Sequence, residues 1–209
     1  MKLKIQLHFT NKDIAILSLL SGLWALTEIN LGLFLRAFKL PFSGALLTFL
    51  GLVILFLAKD AVPQKGTAIL VGILTAYLKL FFLGGLAFFP IIAILVESFL
   101  VEISLISNHN NRTNTIIAGV LAMCWSLIHP FFTQGLLSGW GMSRVYETFF
   151  KRSTEILGIS SQSIFSVILV VIFVHFLLGI LASIVGLKLT RQIYFLSPSQ
   201  IAHERYQNL

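Results

Sequence analysis

From Gly66 to Ser107 the chain reads GTAILVGILTAYLKLFFLGGLAFFPIIAILVESFLVEISLIS. This is two apolar segments joined by an uncharged turn, with three charges inside: Lys79, Glu97 and Glu102. A charge in hydrocarbon costs about 2.5–3.5 kcal/mol on insertion scales, so such groups face the interior of a helix bundle and find partners there. The stretch therefore constrains the chain to a fold in which helices span apolar surroundings and share their few polar groups.

Composition extends that constraint to the whole chain. Of 209 residues, 57% are hydrophobic and 11% charged, against about 25% charged in a soluble domain. Too few charges are present to cover a water-facing surface, and apolar runs of about 20 residues account for the deficit. No gap between those runs is long enough for a separate soluble domain, so one membrane domain over residues 1–209 is expected. The net charge of +7 lies mainly in short loops and tails, the pattern of cytoplasmic loops meeting anionic lipid. No basic stripe is interleaved with aromatics in a soluble segment, which excludes nucleic acid as a partner. Cys124 is the single cysteine, which excludes an internal disulfide and a cysteine metal cluster. The first apolar run is long, carries Glu28 late and lacks a small-residue cleavage site, so it reads as a span and not as a signal peptide.

The pattern predicts an all-α integral membrane protein with six transmembrane helices in one bundle. The spans are about Ile14–Leu35, Phe42–Leu57, Thr67–Leu83, Pro90–Ile106, Thr115–Leu137 (interrupted by Pro130) and Ser163–Leu189. Asn11 or Asp13 is expected to cap the first span, and Thr113 or Asn114 the fifth. Lys59 and Lys65 fall in a polar loop. Between the fifth and sixth spans, SRVYETFFKRSTEILGI places Val145, Phe149 and Ile156 at helical spacing among charges, which predicts a short amphipathic helix over 143–158, lying at the interface or over a pocket.

With six spans both termini share one side. That side holds nine Lys and Arg (Lys2, Lys4, Lys12, Lys59, Lys65, Arg112, Lys188, Arg191 and Arg205) and the other holds five. The bias puts both termini in the cytoplasm. Glu28, Lys79, Glu97, His129 and His175 then fall between the midplane and the outer face, while Glu102 lies deeper. Trp24, Trp125, Phe81, Phe82, Phe88, Phe89, Phe131 and Phe132 lie around them. A shared, aromatic-lined cavity is the least costly way to hold those groups, and it is the form of a small-molecule site. Plainer readings exist for each residue. Lys79 also fits snorkelling to outer headgroups, and Glu97 a structural pair with Lys79. Glu102 fits a structural pairing or a partner contact, and His129 a bond to the carbonyl freed by Pro130.

Small residues four apart, Ser18–Gly22 and Ser21–Ala25 in the first span and Ala182–Gly186 in the sixth, allow close helix approach. This serves packing within the bundle or docking to another membrane subunit. The chain has no P-loop, HExxH or GxSxG motif and no Cys/His metal spacing, so no catalytic residue, metal site or cofactor is expected, and uphill transport needs a partner or an ion gradient. A bis-His haem held by His129 and His175 is a less favoured alternative. A stand-alone ion-coupled carrier using Glu97 and Glu102 is another.

Six spans in about 200 residues, the small-residue face of the first span and the Gly- and Phe-rich turn from Phe82 to Pro90 together resemble a known family. So do EINLGLFLRAFKLPFSG and AYLKLFF…FFPIIAILVESFLVEI. The resemblance is to the substrate-binding S components of energy-coupling factor (ECF) transporters. That family's first span carries two alanines four apart, and serine and glycine take some of those places here. The resemblance implies a capture protein in a prokaryotic plasma membrane that takes a vitamin-like micronutrient from outside. Its partners would be a transmembrane scaffold subunit, docked on Ser18, Ser21, Gly22 and Ala25, and two ATPase subunits. Glu28, Lys79, Glu97, His129, His175, Trp125, Phe88 and Phe89 would contact the solute. The segments Arg36–Pro41 and Gly84–Pro90, with the loop near Tyr146, would form a lid.

Overall fold

The computed structural model describes residues 9–38, 43–84, 88–106, 111–137 and 164–196, with Gly139, Glu147 and Lys151. The amphipathic helix expected over 143–158, most of the expected lid and the C-terminal tail lie outside the described residues. Among the described residues six α-helices are present: α1 (Asn11–Ala37), α2 (Ser43–Ala61), α3 (Thr67–Leu83), α4 (Phe88–Leu105), α5 (Arg112–Pro130) and α6 (Ile164–Leu196). A π-helical turn, Phe131–Leu137, continues α5, and no strand occurs among the described residues. Five of the helices are long and apolar enough to cross a membrane, and α3, with 17 residues, is shorter. At about 1.5 Å per residue α3 still covers about 25 Å, close to the hydrocarbon thickness.

The helix ends depart from expectation in ways the local chemistry explains. Thr10 caps α1: its hydroxyl accepts the Asp13 N–H at 3.2 Å while the Asp13 carboxylate accepts the Thr10 N–H at 2.9 Å, a reciprocal capping box. For α5 the cap is Asn111, whose side chain accepts the Thr113 N–H. Helix α2 runs on to Ala61 and takes Lys59 with it. Gly84 ends α3 at φ 57°, donating its N–H to the Leu80 carbonyl, a conformation that favours glycine.

Helix α2 is the centre of the bundle and touches all five others. Residues Gly51 to Phe56 are buried without a break, as expected of a helix enclosed on every side. On one flank α1 packs on α2 and α3, and on the other α6 packs on α2 and α5, with α4 between α3 and α5. The close crossings are made by small residues. A Cβ on Gly119 would stand 2.5 Å from the Gly179 carbonyl oxygen, and one on Gly72 1.9 Å from Ser98 Oγ. Ser183 Oγ donates across the α5–α6 crossing to the Thr115 carbonyl at 3.0 Å.

The expected small-residue face of α1 divides. Ser21 and Ala25 are buried, and Ser21 Oγ donates to the Leu17 carbonyl and, across to α3, to the Val71 carbonyl. Ser18 is exposed, and a Cβ on Gly22 would meet nothing within 4 Å. Ala182 and Gly186 face inward, with Gly186 against Phe56. In α1 the motif thus serves packing through one pair and leaves the other outside the bundle.

Candidate functional site

Antiparallel neighbours bring the late halves of α1, α3 and α5 to the same end of the bundle as the early halves of α2 and α4. A cavity of about 410 Å³ lies there, its wall including Glu28, Gly32, Leu47, Thr48, Lys79, Phe89, Ile94, Glu97, Ser126, His129, Pro130 and Thr133. That volume is within the range of small-molecule sites.

Each polar side chain at this wall is fixed by its own helix. Glu28 on α1 and Lys79 on α3 form a buried ion pair. Lys79 is 2% exposed, so its ammonium is held inside by Glu28 and does not snorkel outward. Burial of such a pair is tolerated only with close geometry, and loss of either partner strands a charge. Glu97, also 2% exposed, accepts the Thr48 hydroxyl on Oε1 at 2.8 Å. The residue that closes on Lys79 is thus Glu28 and not Glu97.

The end of α5 is shaped by Pro130. Proline offers no N–H to the Ser126 carbonyl, and its ring crowds that carbonyl. The helix resolves this by widening into the π turn Phe131–Leu137, a device common where a helix meets a site. The His129 ring crosses to α4, its Nε2–H donating to the Phe89 carbonyl at 2.9 Å, and not to a carbonyl freed by the proline. Thr133 Oγ1 donates to the His129 carbonyl at 2.9 Å. Trp125 stacks edge-on against His129 with ring centroids 5.8 Å apart. Its indole N–H is buried without an acceptor among the described residues.

Among known proteins, no family model, no curated sequence and no solved structure matches this chain. The site is therefore read from its own chemistry.

Of the eight residues proposed from sequence to contact a solute, Glu28, Lys79, Glu97, His129 and Phe89 line the cavity. Trp125 supports it through His129. Phe88 is 58% exposed, and its ring meets Phe89 edge-on outside the wall. Phe81 and Phe82 also face outward. His175 is buried on α6 away from the cavity, with Nδ1–H donating to the Val171 carbonyl at 2.8 Å. His129 thus lines the cavity and His175 does not.

Sequence reasoning did not single out Thr48, Ser126 or Thr133. Thr48 was detectable in principle as the second hydroxyl of α2, after Ser43, but nothing in the sequence pairs it with Glu97. Glu102 belongs elsewhere. At the opposite end of the bundle it accepts Lys59 Nζ at 2.7 Å, the Gly66 N–H at 2.7 Å and the Ala68 N–H at 2.9 Å. There it closes the amino end of α3.

Proposed function

We propose that this chain is a membrane-embedded solute-binding subunit that captures a vitamin-sized micronutrient from the outer side of a prokaryotic plasma membrane. Release inward would depend on partner subunits, a scaffold in the membrane and ATPases, as the resemblance to ECF S components implies. The observation that carries the reading is the cavity at one end of the bundle, walled by ionisable groups from α1, α3, α4 and α5. Helices fix these groups in place, so a solute would meet an ordered site and lose little affinity to reorganisation. The charge bias of the loops supports placing the cavity end outside and both termini in the cytoplasm. Exposed Ser18 and half-buried Gly22 on α1 are available for a subunit in the membrane.

The direct test is equilibrium binding and mass spectrometry on the full chain purified in detergent. A small molecule that co-purifies, and whose binding weakens in Glu97→Ala and His129→Ala, supports the reading. Wild-type affinity in those variants would refute the site.

A second reading, an ion-coupled carrier, draws on the buried Glu97 carboxylate as a proton site. Uptake by this chain alone in liposomes, abolished by a protonophore, would favour it.

A further inference from the structure

The cavity wall is asymmetric in a way that selects the solute's charge. It presents two carboxylates, Glu28 and Glu97, and, among the described residues, one ammonium, Lys79. Lys79 is matched by Glu28 in the buried ion pair. Among the described residues Glu97 has a single neutral hydrogen bond, from Thr48, although a carboxylate offers about four acceptor positions. Resting on the solute-binding reading, we propose that the solute is a cation. Its protonated nitrogen donates to Glu97 beside Thr48, and its apolar body lies along Leu47, Phe89, Ile94 and Pro130.

The hydrogen-bond inventory points the same way. Four of the wall's side-chain donors are already engaged. The Thr48 hydroxyl is on Glu97, the His129 N–H on the Phe89 carbonyl, the Thr133 hydroxyl on the His129 carbonyl and the Ser126 hydroxyl on the Met123 carbonyl. Ser98, next to Glu97, gives its hydroxyl to Ile94. Glu97 keeps acceptor positions beyond the one that Thr48 fills. A cation would compensate a buried carboxylate whose isolation is otherwise costly. It would also form a charge-assisted hydrogen bond, stronger than a neutral one.

The test uses the full chain in detergent micelles and a charge-sorted panel, read by thermal shift and equilibrium dialysis. Thiamine, choline and agmatine represent cations, nicotinate, pantothenate and biotin anions, and riboflavin and nicotinamide neutral solutes. The molecule that co-purifies is identified by mass spectrometry in parallel. The expected result is that the bound species carry a positive nitrogen. Glu97→Gln, which keeps shape and loses charge, then weakens them tenfold or more, with a smaller loss in Thr48→Val. Binding confined to anions or neutral solutes overturns the proposal and leaves the solute-binding reading standing. The same holds if Glu97→Gln binds the cation as tightly as the wild type. If the variant does not fold, the charge preference of the wild type decides alone. If nothing binds and nothing co-purifies, the solute-binding reading fails, and this inference fails with it.

Discussion

Lys59 and Glu102 meet at 2.7 Å with both side chains buried, at the end of the bundle opposite the cavity. The contact joins the last turn of α2 to the last turn of α4. The carboxylate also accepts two backbone N–H groups, those of Gly66 and Ala68, at the start of α3. Lys59 Nζ in turn donates to the Gln64 carbonyl at 2.7 Å. One acidic side chain thus caps a helix, fixes a tight connection and neutralises a buried ammonium.

Replacement of Glu102 should therefore be costlier than replacement of Lys59. Glu102→Leu strands a buried ammonium and two helix N–H groups, a loss on the order of 3–5 kcal/mol. Lys59→Met leaves the carboxylate with both N–H donors and should cost less. Thermal unfolding in detergent should rank the melting points wild type, then Lys59→Met, then Glu102→Leu. The reverse order of the two variants would show that the cap matters less than the ion pair.

The second ion pair predicts a rescue. Lys79→Met alone leaves Glu28 buried without its counter-charge, and Glu28→Gln alone does the same to Lys79. The double variant removes both charges and should recover much of the lost stability, giving a coupling of about 0.5–3 kcal/mol in a double-mutant cycle. Additive losses would mean that the two side chains contribute separately.

These pairs mark the boundary of what the chain's residue order discloses. The spans were legible because hydropathy and length leave few alternatives: the bounds expected for α3, Thr67–Leu83, are those observed. The depth of Glu28, Lys79, Glu97 and His129 was legible because helix direction alternates. Rotation about each helix axis was not. It decides that Lys79 meets Glu28, that His175 and Phe88 stand away from the cavity, and that Ser18 and Ser21 face different surroundings. Lys59 read as a loop residue because a lysine after an apolar run normally ends in water. A carboxylate 43 positions away keeps it inside instead.

Gly119 is a site where one added methyl group should be felt across two helices. A Cβ there would press on Ser183 Oγ at 2.2 Å and on the Gly179 carbonyl at 2.5 Å. The second contact is backbone, so the helices themselves must part. Gly119→Ala should lower stability by about 1–3 kcal/mol, as overpacking does. Gly22→Ala provides the contrast: open space surrounds that position, and alanine's helix propensity is better by about 0.8–1.0 kcal/mol. In detergent the first variant should melt earlier than the wild type and the second no earlier. A Gly119→Ala protein as stable as the parent would mean that α5 and α6 do not cross as closely as described.

Pro130 sets stability against the shape of the site. A proline inside a helix costs about 3 kcal/mol or more through the lost hydrogen bond and the clash with the carbonyl four residues back. The chain bears that cost where the π turn begins, beside His129, Ser126 and Thr133 on the cavity wall. Pro130→Ala restores the N–H opposite the Ser126 carbonyl and allows α5 to continue with α-helical winding. Stability should then rise. The same change rotates Thr133 and the residues after it out of register and should weaken solute binding. Melting temperature and affinity measured on one preparation should move in opposite directions. A variant that gains stability and binds as the wild type does would separate the π turn from the site, and its place in the cavity wall would then be a matter of packing alone.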